Sequence, residues 1–186
     1  MSLTLFGTIQ KTLSFNTRYF VNMSAVVIKR GFSFLFVLGL FMVTPSNVYG
    51  QSEERRQNEF NLDEDNVALQ GYDVVSYFMG APQKGKKSIL YDFNGIIYWF
   101  NSVENLDLFK KQPEKFEPAY GGWCAFALGD SGEKVKIDPK TYKIIDGELY
   151  LFYNFYFNNT LIDWNKNEFN LKSRADKNWS KIINTP

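Results

Sequence analysis

"KSILYDFNGIIYWFNS", Lys87–Ser102, gives the clearest local indication of the fold in this chain. Two runs rich in Ile, Tyr, Phe and Trp flank Asn94-Gly95, the dipeptide preferred in two-residue type I′ hairpin turns. Ser102 can cap a following helix, Val103–Gln112, which Pro113 ends. The stretch therefore predicts a β-hairpin followed directly by a helix.

A second hairpin is predicted in "VKIDPKTYKIIDGELYLFY", which turns at Asp146-Gly147. From Asn154 to Ile183 the apolar spacing becomes helical. We expect seven side chains of this region to pack back on the sheet: Phe157, Leu161, Trp164, Phe169, Leu171, Ala175 and Trp179. The sequence thus predicts an α+β fold, with a small central antiparallel sheet built from two hairpins, packed by short helices and followed by a helical C-terminus.

The first 50 residues have the pattern of a secretory leader. Lys29 and Arg30 precede an apolar run, Phe32–Val43, which is too short to cross a membrane core that needs roughly 20 residues. A small residue precedes a suitable cleavage point before Gln51. We therefore expect residues 1–50 to be a signal peptide, with Met23 as an alternative true start. The mature protein is expected to be periplasmic or extracellular, without stable membrane insertion.

Residues 51–66 are polar and charged without apolar periodicity, which predicts a flexible linker before one folded domain over residues 67–186.

Of the 21 basic side chains in the chain, four lie in the first 50 residues, which hold no acid. The rest of the chain therefore carries 17 basic against 20 acidic side chains. A mildly acidic body offers no basic field for phosphate backbones, so nucleic acid is not an expected partner.

Histidine is absent from the chain, and Cys124 is its one cysteine. Without histidine no Ser-His-Asp or Cys-His pair can be built. Without a second cysteine, neither a thioredoxin-type couple nor a structural zinc site can form within one chain. No phosphate-binding glycine motif follows a strand. These absences favour a binding role over an ordinary hydrolase or oxidoreductase.

Cys124 lies in "PAYGGWCAFALGD", Pro118–Asp130, directly after a double glycine flanked by Tyr120 and Trp123. Gly121-Gly122 permits positive backbone φ or close approach of a ligand. In one interpretation the glycines make a tight turn and Cys124 is a buried apolar residue. In the other, its thiolate lies at the edge of a shallow aromatic pocket and binds a soft ion such as Cu(I), or forms a mixed disulfide.

Tyr72, Asp73 and Asp138 complete the candidate ligands. Asp73 is either the cap of a short helix or a ligand, and Asp138 is either a turn residue before Pro139 or a ligand. The two aspartates and Cys124 form the candidate metal set. Tyr72 and Asp73 join residues 120–124 as the candidate small-ligand set.

Four motifs, in order along the chain, resemble the exported YHS-domain proteins of bacteria: "VALQGYDVVSYF", "YWFNSVENLDLFKKQPEKFEPAYGGWCAFALG", "IDPKTYKIIDGELYLFYN" and "ADKNWSKI". The resemblance covers about Val67–Ile183. Metal-type members of that family carry a Phe-Cys-Ser-x-x-Cys stretch, whereas this chain has Asn101 and Asn105 at those positions and lacks the family's histidine. Amide oxygens are weak ligands for a soft metal, so the resemblance implies the fold and the compartment but not that cysteine site.

Residues and resemblance together favour a binding module of the cell envelope, for a Cu(I)-like soft metal ion or a small ligand near Cys124. One thiolate per chain favours weak capture of Cu(I), or a site shared across a homodimer. Two alternatives stay open: a structural or interaction protein with a buried Cys124, and a thiol-dependent redox protein. The sequence names no reaction and no substrate.

Overall fold

Both predicted hairpins are present in the structure, a computed structural model that describes residues 48–185. The strands are β1 (Lys86–Phe93), β2 (Ile96–Phe100), β3 (Asp138–Ile145), β4 (Glu148–Phe152), β5 (Asn154–Phe155) and β6 (Asn158–Asn159). They pair as β1-β2, β3-β4 and β5-β6 in three antiparallel two-stranded sheets. The turns at Asn94-Gly95 and Asp146-Gly147 have positive φ at both central residues, as a type I′ turn requires.

Helices fill most of the remaining described chain, which confirms the α+β class and the helical C-terminus. They are α1 (Val48–Glu59), α2 (Val74–Phe78), α3 (Val103–Lys111), α4 (Pro113–Phe116), α5 (Ala125–Asp130), α6 (Thr160–Lys166) and α7 (Glu168–Asn184). Within residues 48–185, none of these helices combines the length and the apolarity needed to span a membrane. Residues 1–47, which hold most of the predicted leader and the alternative start at Met23, lie outside the described residues.

Two predicted helix caps are confirmed. The Asp73 carboxylate caps α2, because its Oδ1 accepts a hydrogen bond from Val75 N at 2.9 Å. The Ser102 hydroxyl caps α3 by accepting from Asn105 N at 3.2 Å. Each cap satisfies a backbone donor that the first helical turn leaves without a partner.

Strand β4 is buried on both faces and separates two hydrophobic cores. Leu149 and Leu151 point into one core, which also holds the inward-facing apolar side chains of the β1-β2 hairpin, α2 and α3. Tyr150 and Phe152 point into the other, which is closed by Trp164 and by α7. Successive side chains of a strand project to opposite faces, so a run of four apolar residues contributes two to each core.

The prediction of a flexible linker over residues 51–66 is wrong. Helix α1 occupies most of this segment, and the described residues belong to one compact unit. Arg56 Nε donates to Asn94 O at 3.2 Å, and Gln57 Nε2 donates to Gly95 O at 2.9 Å, so α1 is held against the first hairpin turn. Arg56 Nη2 also contacts Glu117 Oε1 at 2.5 Å. These partners are distant in sequence, which is why local periodicity did not reveal them.

Two of the seven aromatic and aliphatic side chains expected to pack on the sheet are instead exposed. Phe157 lies with Tyr156 in the turn between β5 and β6, where both residues have positive φ, and its side chain is fully exposed. Phe169 is exposed in the first turn of α7. Trp164, Leu171 and Ala175 are buried as expected.

Helices α5 and α7 approach each other closely at Gly129. A Cβ atom at this position would lie 2.5 Å from Leu171 O and 3.0 Å from Leu171 C, which are backbone atoms of α7. Such distances are well inside van der Waals contact, so the helix pair requires a residue without a side chain here.

We expect Gly129→Ala to lower the free energy of unfolding by about 1–3 kcal/mol, because α7 must shift away from the new methyl group. Helix propensity alone predicts the opposite sign, a gain of roughly 1 kcal/mol. Urea unfolding measures the change. Ser173→Ala, at an exposed position of α7, is the control and should stay within about 0.5 kcal/mol of the parent. A Gly129→Ala protein as stable as the parent would contradict the close contact.

Candidate functional site

The stretch Pro118–Cys124 crosses the edge of β4 and forms a loop between two contact points. Pro118 forms a parallel bridge with Leu149, and Cys124 forms a parallel bridge with Leu151. The seven residues 118–124 therefore lie opposite only three residues of β4, 149–151, and the residues between the two bridges form a loop. Tyr120, Gly121 and Gly122 have φ of 56°, 59° and 81°, so three successive residues adopt the left-handed conformation.

Gly121 is required at the tip of this loop for two reasons. Its φ is positive, and a Cβ would lie 2.8 Å from Trp179 Cη2 and 3.0 Å from Phe60 Cγ. Asn61 holds the backbone of both glycines through two hydrogen bonds. Its N donates to Gly121 O at 2.9 Å, and its Nδ2 donates to Gly122 O at 3.0 Å. The double glycine thus makes a tight turn, as the first interpretation of the sequence predicted.

The loop sends its two chemically distinctive side chains to different cores. Tyr120 packs against Tyr150 with ring centroids 5.6 Å apart. Cys124 packs with Leu149 and Leu151 in the other core. Between them, Trp123 Nε1 donates to Glu59 O at 2.6 Å. The predicted small-ligand set around residues 120–124 is therefore divided by β4.

Cys124 has no exposed surface and its thiol is fully hydrogen bonded. Tyr153 N donates to Cys124 Sγ at 3.4 Å, and Thr160 Oγ1 lies 3.4 Å from the same sulfur. The single hydroxyl hydrogen of Thr160 goes to Tyr153 O at 3.0 Å, so the thiol is the donor in the sulfur–oxygen contact. A protonated thiol completes this network, whereas a thiolate would lack the hydrogen that Thr160 accepts.

A small cavity of about 230 Å³ reaches Cys124 from the surface between α5 and Tyr153. Phe126, Val135 and Thr160 also line it. Because the Cys124 side chain is 0% exposed, a reagent in this cavity meets the neighbouring side chains and not the sulfur. Access to the thiol therefore requires local opening of the structure.

We expect the native thiol to react with an alkylating reagent only as fast as the protein opens, and at the ordinary rate in urea. Cys124→Ala should lower the free energy of unfolding by about 1–3 kcal/mol, because the Tyr153 N–H loses its acceptor. Cys124→Ser, which keeps a donor and an acceptor, is the matched control and should be less destabilised. Rapid alkylation of the native protein would show that the thiol is accessible after all.

Asp73 lies at the centre of a buried polar network. Besides capping α2 through Oδ1, its Oδ2 accepts from Asn101 N at 2.9 Å and from Asn105 Nδ2 at 2.7 Å. Asn101 Nδ2 in turn donates to Gln83 Oε1 at 2.6 Å. The carboxylate is 0% exposed and accepts three hydrogen bonds, so it acts as a structural cap.

Asp138 and Tyr72 also have structural partners. Asp138 accepts from Lys140 N at 3.0 Å and from Thr141 Oγ1 at 2.9 Å, which is the turn arrangement expected before Pro139. The Tyr72 ring lies 4.9 Å from Lys84 Nζ. Residues 48–185 contain no group of three or more Cys, Asp and Glu side chains that could hold a metal ion, so the candidate metal set is not assembled.

A larger cavity of about 610 Å³, named here the Tyr120 cavity, lies on the other side of β4. Its aromatic wall consists of Phe60, Tyr120, Tyr150 and Trp179. Its charged residues are Glu114, Lys115, Glu117, Glu148, Lys172 and Asp176. Of the predicted site residues, Tyr120 and Gly121 line this cavity.

Three tyrosine hydroxyls donate to carboxylates of the Tyr120 cavity. Tyr120 donates to Asp176 Oδ1 at 2.7 Å, Tyr98 donates to Glu117 Oε1 at 2.7 Å, and Tyr150 donates to Glu148 Oε2. Burial is the main reason that the pKa of Tyr120 and the pKa of Tyr150 lie well above the ordinary value, and the carboxylate that each hydroxyl donates to raises the pKa further. Burial also raises the pKa of Tyr98, and the charge of Glu117 adds to this effect. The three phenols therefore remain protonated donors at neutral pH.

We expect the free energy of unfolding to fall as pH rises above about 10, because the unfolded chain loses tyrosine protons that the native state retains. Tyr120→Phe should reduce this slope by removing one such proton. Urea unfolding between about pH 8 and pH 11, with phenolate absorbance, measures it. Tyr156→Phe, at a side chain that is 92% exposed, is the matched control and should leave the slope unchanged. Equal slopes for Tyr120→Phe and the parent would be evidence against the buried pairing.

Most of the Tyr120 cavity could not be predicted from the sequence because its residues come from separate elements. Two local signals were nevertheless available. Glu148 and Tyr150 are two apart on β4 and so share one face of the strand. Lys172, Asp176 and Trp179 follow helical spacing and so share one face of α7. What the sequence does not show is that these two faces meet beside Tyr120.

Compared with family models, with curated proteins and with solved structures, the chain gives no match to any of them.

Proposed function

We propose that this protein is an exported binding module of the bacterial envelope, related to the YHS-domain proteins, whose small ligand occupies the Tyr120 cavity. Cys124 has a structural role in the opposite core. The motifs quoted above support the family relationship, and the basic pair before the short apolar run supports export to the periplasm or beyond.

The Tyr120 cavity is the observation that carries this proposal. Its volume of about 610 Å³ falls in the range of small-molecule sites, roughly 300–1,000 Å³. Its wall combines four aromatic side chains with six charged ones, so it offers a ligand both apolar surface and charge. Loop 118–124, β4 and α7 each contribute, so the wall is built on elements that the cores hold in place.

Copper capture and thiol chemistry at Cys124 receive less support. Cu(I) binding needs an accessible thiolate and a further soft donor, whereas Cys124 is 0% exposed and its hydrogen bonds fit a protonated thiol. A copper site shared across a homodimer needs the sulfur at the surface of each subunit. A redox role has the same requirement.

A cavity-filling variant tests the binding proposal while the identity of the ligand is still open. Ala119 lines the Tyr120 cavity at the margin of the second core and is partly exposed, so the ring of Ala119→Phe should occupy the cavity. We expect saturation-transfer NMR with a fragment set of cationic, neutral and anionic compounds to give bound fragments for the parent, and these should be lost in Ala119→Phe.

Ala81→Phe, at an exposed loop position, is the matched control and should retain the bound fragments. Thermal unfolding verifies that both variants are folded. Fragments that bind equally well to Ala119→Phe, or no bound fragment of any charge class, would overturn the proposed function.

A further inference from the structure

The hydrogen bonds of the Tyr120 cavity determine which ligand chemistry it can satisfy. Its two wall hydroxyls, those of Tyr120 and Tyr150, are already used as donors to Asp176 and Glu148. A phenol has one hydrogen, so neither hydroxyl has a second one to give to a ligand. A carboxylate offers about four lone-pair sites, so both acids still have acceptor capacity. The cavity therefore presents acceptors next to aromatic rings.

The charges of the lining residues favour the same class of ligand as the hydrogen-bond acceptors do. Four carboxylates line the cavity, against the two ammonium groups of Lys115 and Lys172. Arg56 neutralises Glu117 at 2.5 Å, and both of these side chains are mostly buried. Glu114, Glu148 and Asp176 then outnumber the two lysines, so the balance stays negative and favours a positively charged ligand.

Lys172 shows how a cation fits this surface. Its Nζ lies 5.7 Å from the centroid of the Tyr150 ring and 3.2 Å from Asp176 Oδ2. An ammonium group within about 6 Å of an aromatic face makes a contact that proteins also use to bind quaternary ammonium ligands. The Lys172 side chain is 30% exposed and part of an i, i+4 pair, which is weak enough for a ligand to displace.

We propose that the Tyr120 cavity binds an organic cation, a protonated amine or a quaternary ammonium group on a small apolar body, whose charge takes the place of the Lys172 ammonium. The inference rests on the proposed function and names its ligand class. The apolar body packs on the partly exposed rings of Phe60 and Trp179, and the charge takes the position of Lys172 Nζ, near the buried Tyr150 ring and Asp176 Oδ2.

Choline and its neutral carbon analogue, in which a quaternary carbon replaces the nitrogen, form a matched pair of probes. They have nearly the same shape and differ in charge. We expect calorimetry on the full chain at low ionic strength to show choline binding about tenfold or more tighter than the analogue. Added salt should weaken the binding of choline and not that of the analogue.

Three variants locate the charge. Asp176→Asn should weaken choline binding about fivefold or more, and Lys172→Met should strengthen it, because a competing cation is removed. Lys177→Met makes the same change in net charge at an exposed position that does not line the cavity, and it should leave the affinity unchanged. An equal gain in choline affinity in Lys172→Met and Lys177→Met would show that the gain comes from the overall charge of the protein. That result would overturn the assignment to this cavity.

The remaining outcomes separate this inference from the proposed function. Equal affinity for choline and its analogue, or displacement of choline by Ca²⁺ alone, would overturn the organic-cation inference. Neutral or anionic fragments that bind the parent and are lost in Ala119→Phe, with no binding of choline, would overturn the inference and retain the binding module. Absence of any fragment binding would overturn both.

Discussion

The burial of β4 on both faces is the constraint on which the rest of the structure depends. Antiparallel hairpins commonly leave one face to solvent, but this strand has β3 on one edge, loop 118–124 on the other, and a core against each face. Its four residues Leu149–Phe152 are each no more than 1% exposed. A shift of β4 by one residue would exchange Leu149 and Leu151 with the larger Tyr150 and Phe152 between the two cores, so close packing fixes the register.

That register decides what loop 118–124 can do. Its two bridges to β4 are fixed, so the extra residues must leave the edge of the strand through the left-handed turn at Tyr120-Gly121-Gly122. The turn directs a phenol into one core and a thiol into the other. Residues adjacent in sequence thus belong to different environments: Cys124 completes a neutral hydrogen-bond network, and Tyr120 becomes part of an acidic aromatic cavity. The fold separates the two chemistries that the sequence places together.

The parts of the fold that the sequence predicted depend on local chemistry. Asn94-Gly95 and Asp146-Gly147 specify their turns through φ, and Asp73 and Ser102 specify helix starts through one side-chain oxygen each. The linker prediction failed because α1 is held by contacts to residues far along the chain, such as the one between Gln57 and Gly95. The Tyr120 cavity has the same origin. Its parts can be placed on one face of a strand or helix from spacing, but which faces meet is set by β4 and the packing of α7.

The network around Asp73 gives a physical reason for the amide side chain at position 105. Asn105 Nδ2 donates to Asp73 Oδ2 at 2.7 Å, and Asn101 supplies a backbone N–H to the same oxygen. A thiol at position 105 could offer only a weak S–H donor, and a thiolate would put a second negative charge beside a buried carboxylate. The buried aspartate and a thiolate at position 105 are therefore incompatible. An amide suits the carboxylate because its N–H is a good donor. The amide oxygen is a hard ligand, so the same side chain suits a soft metal poorly.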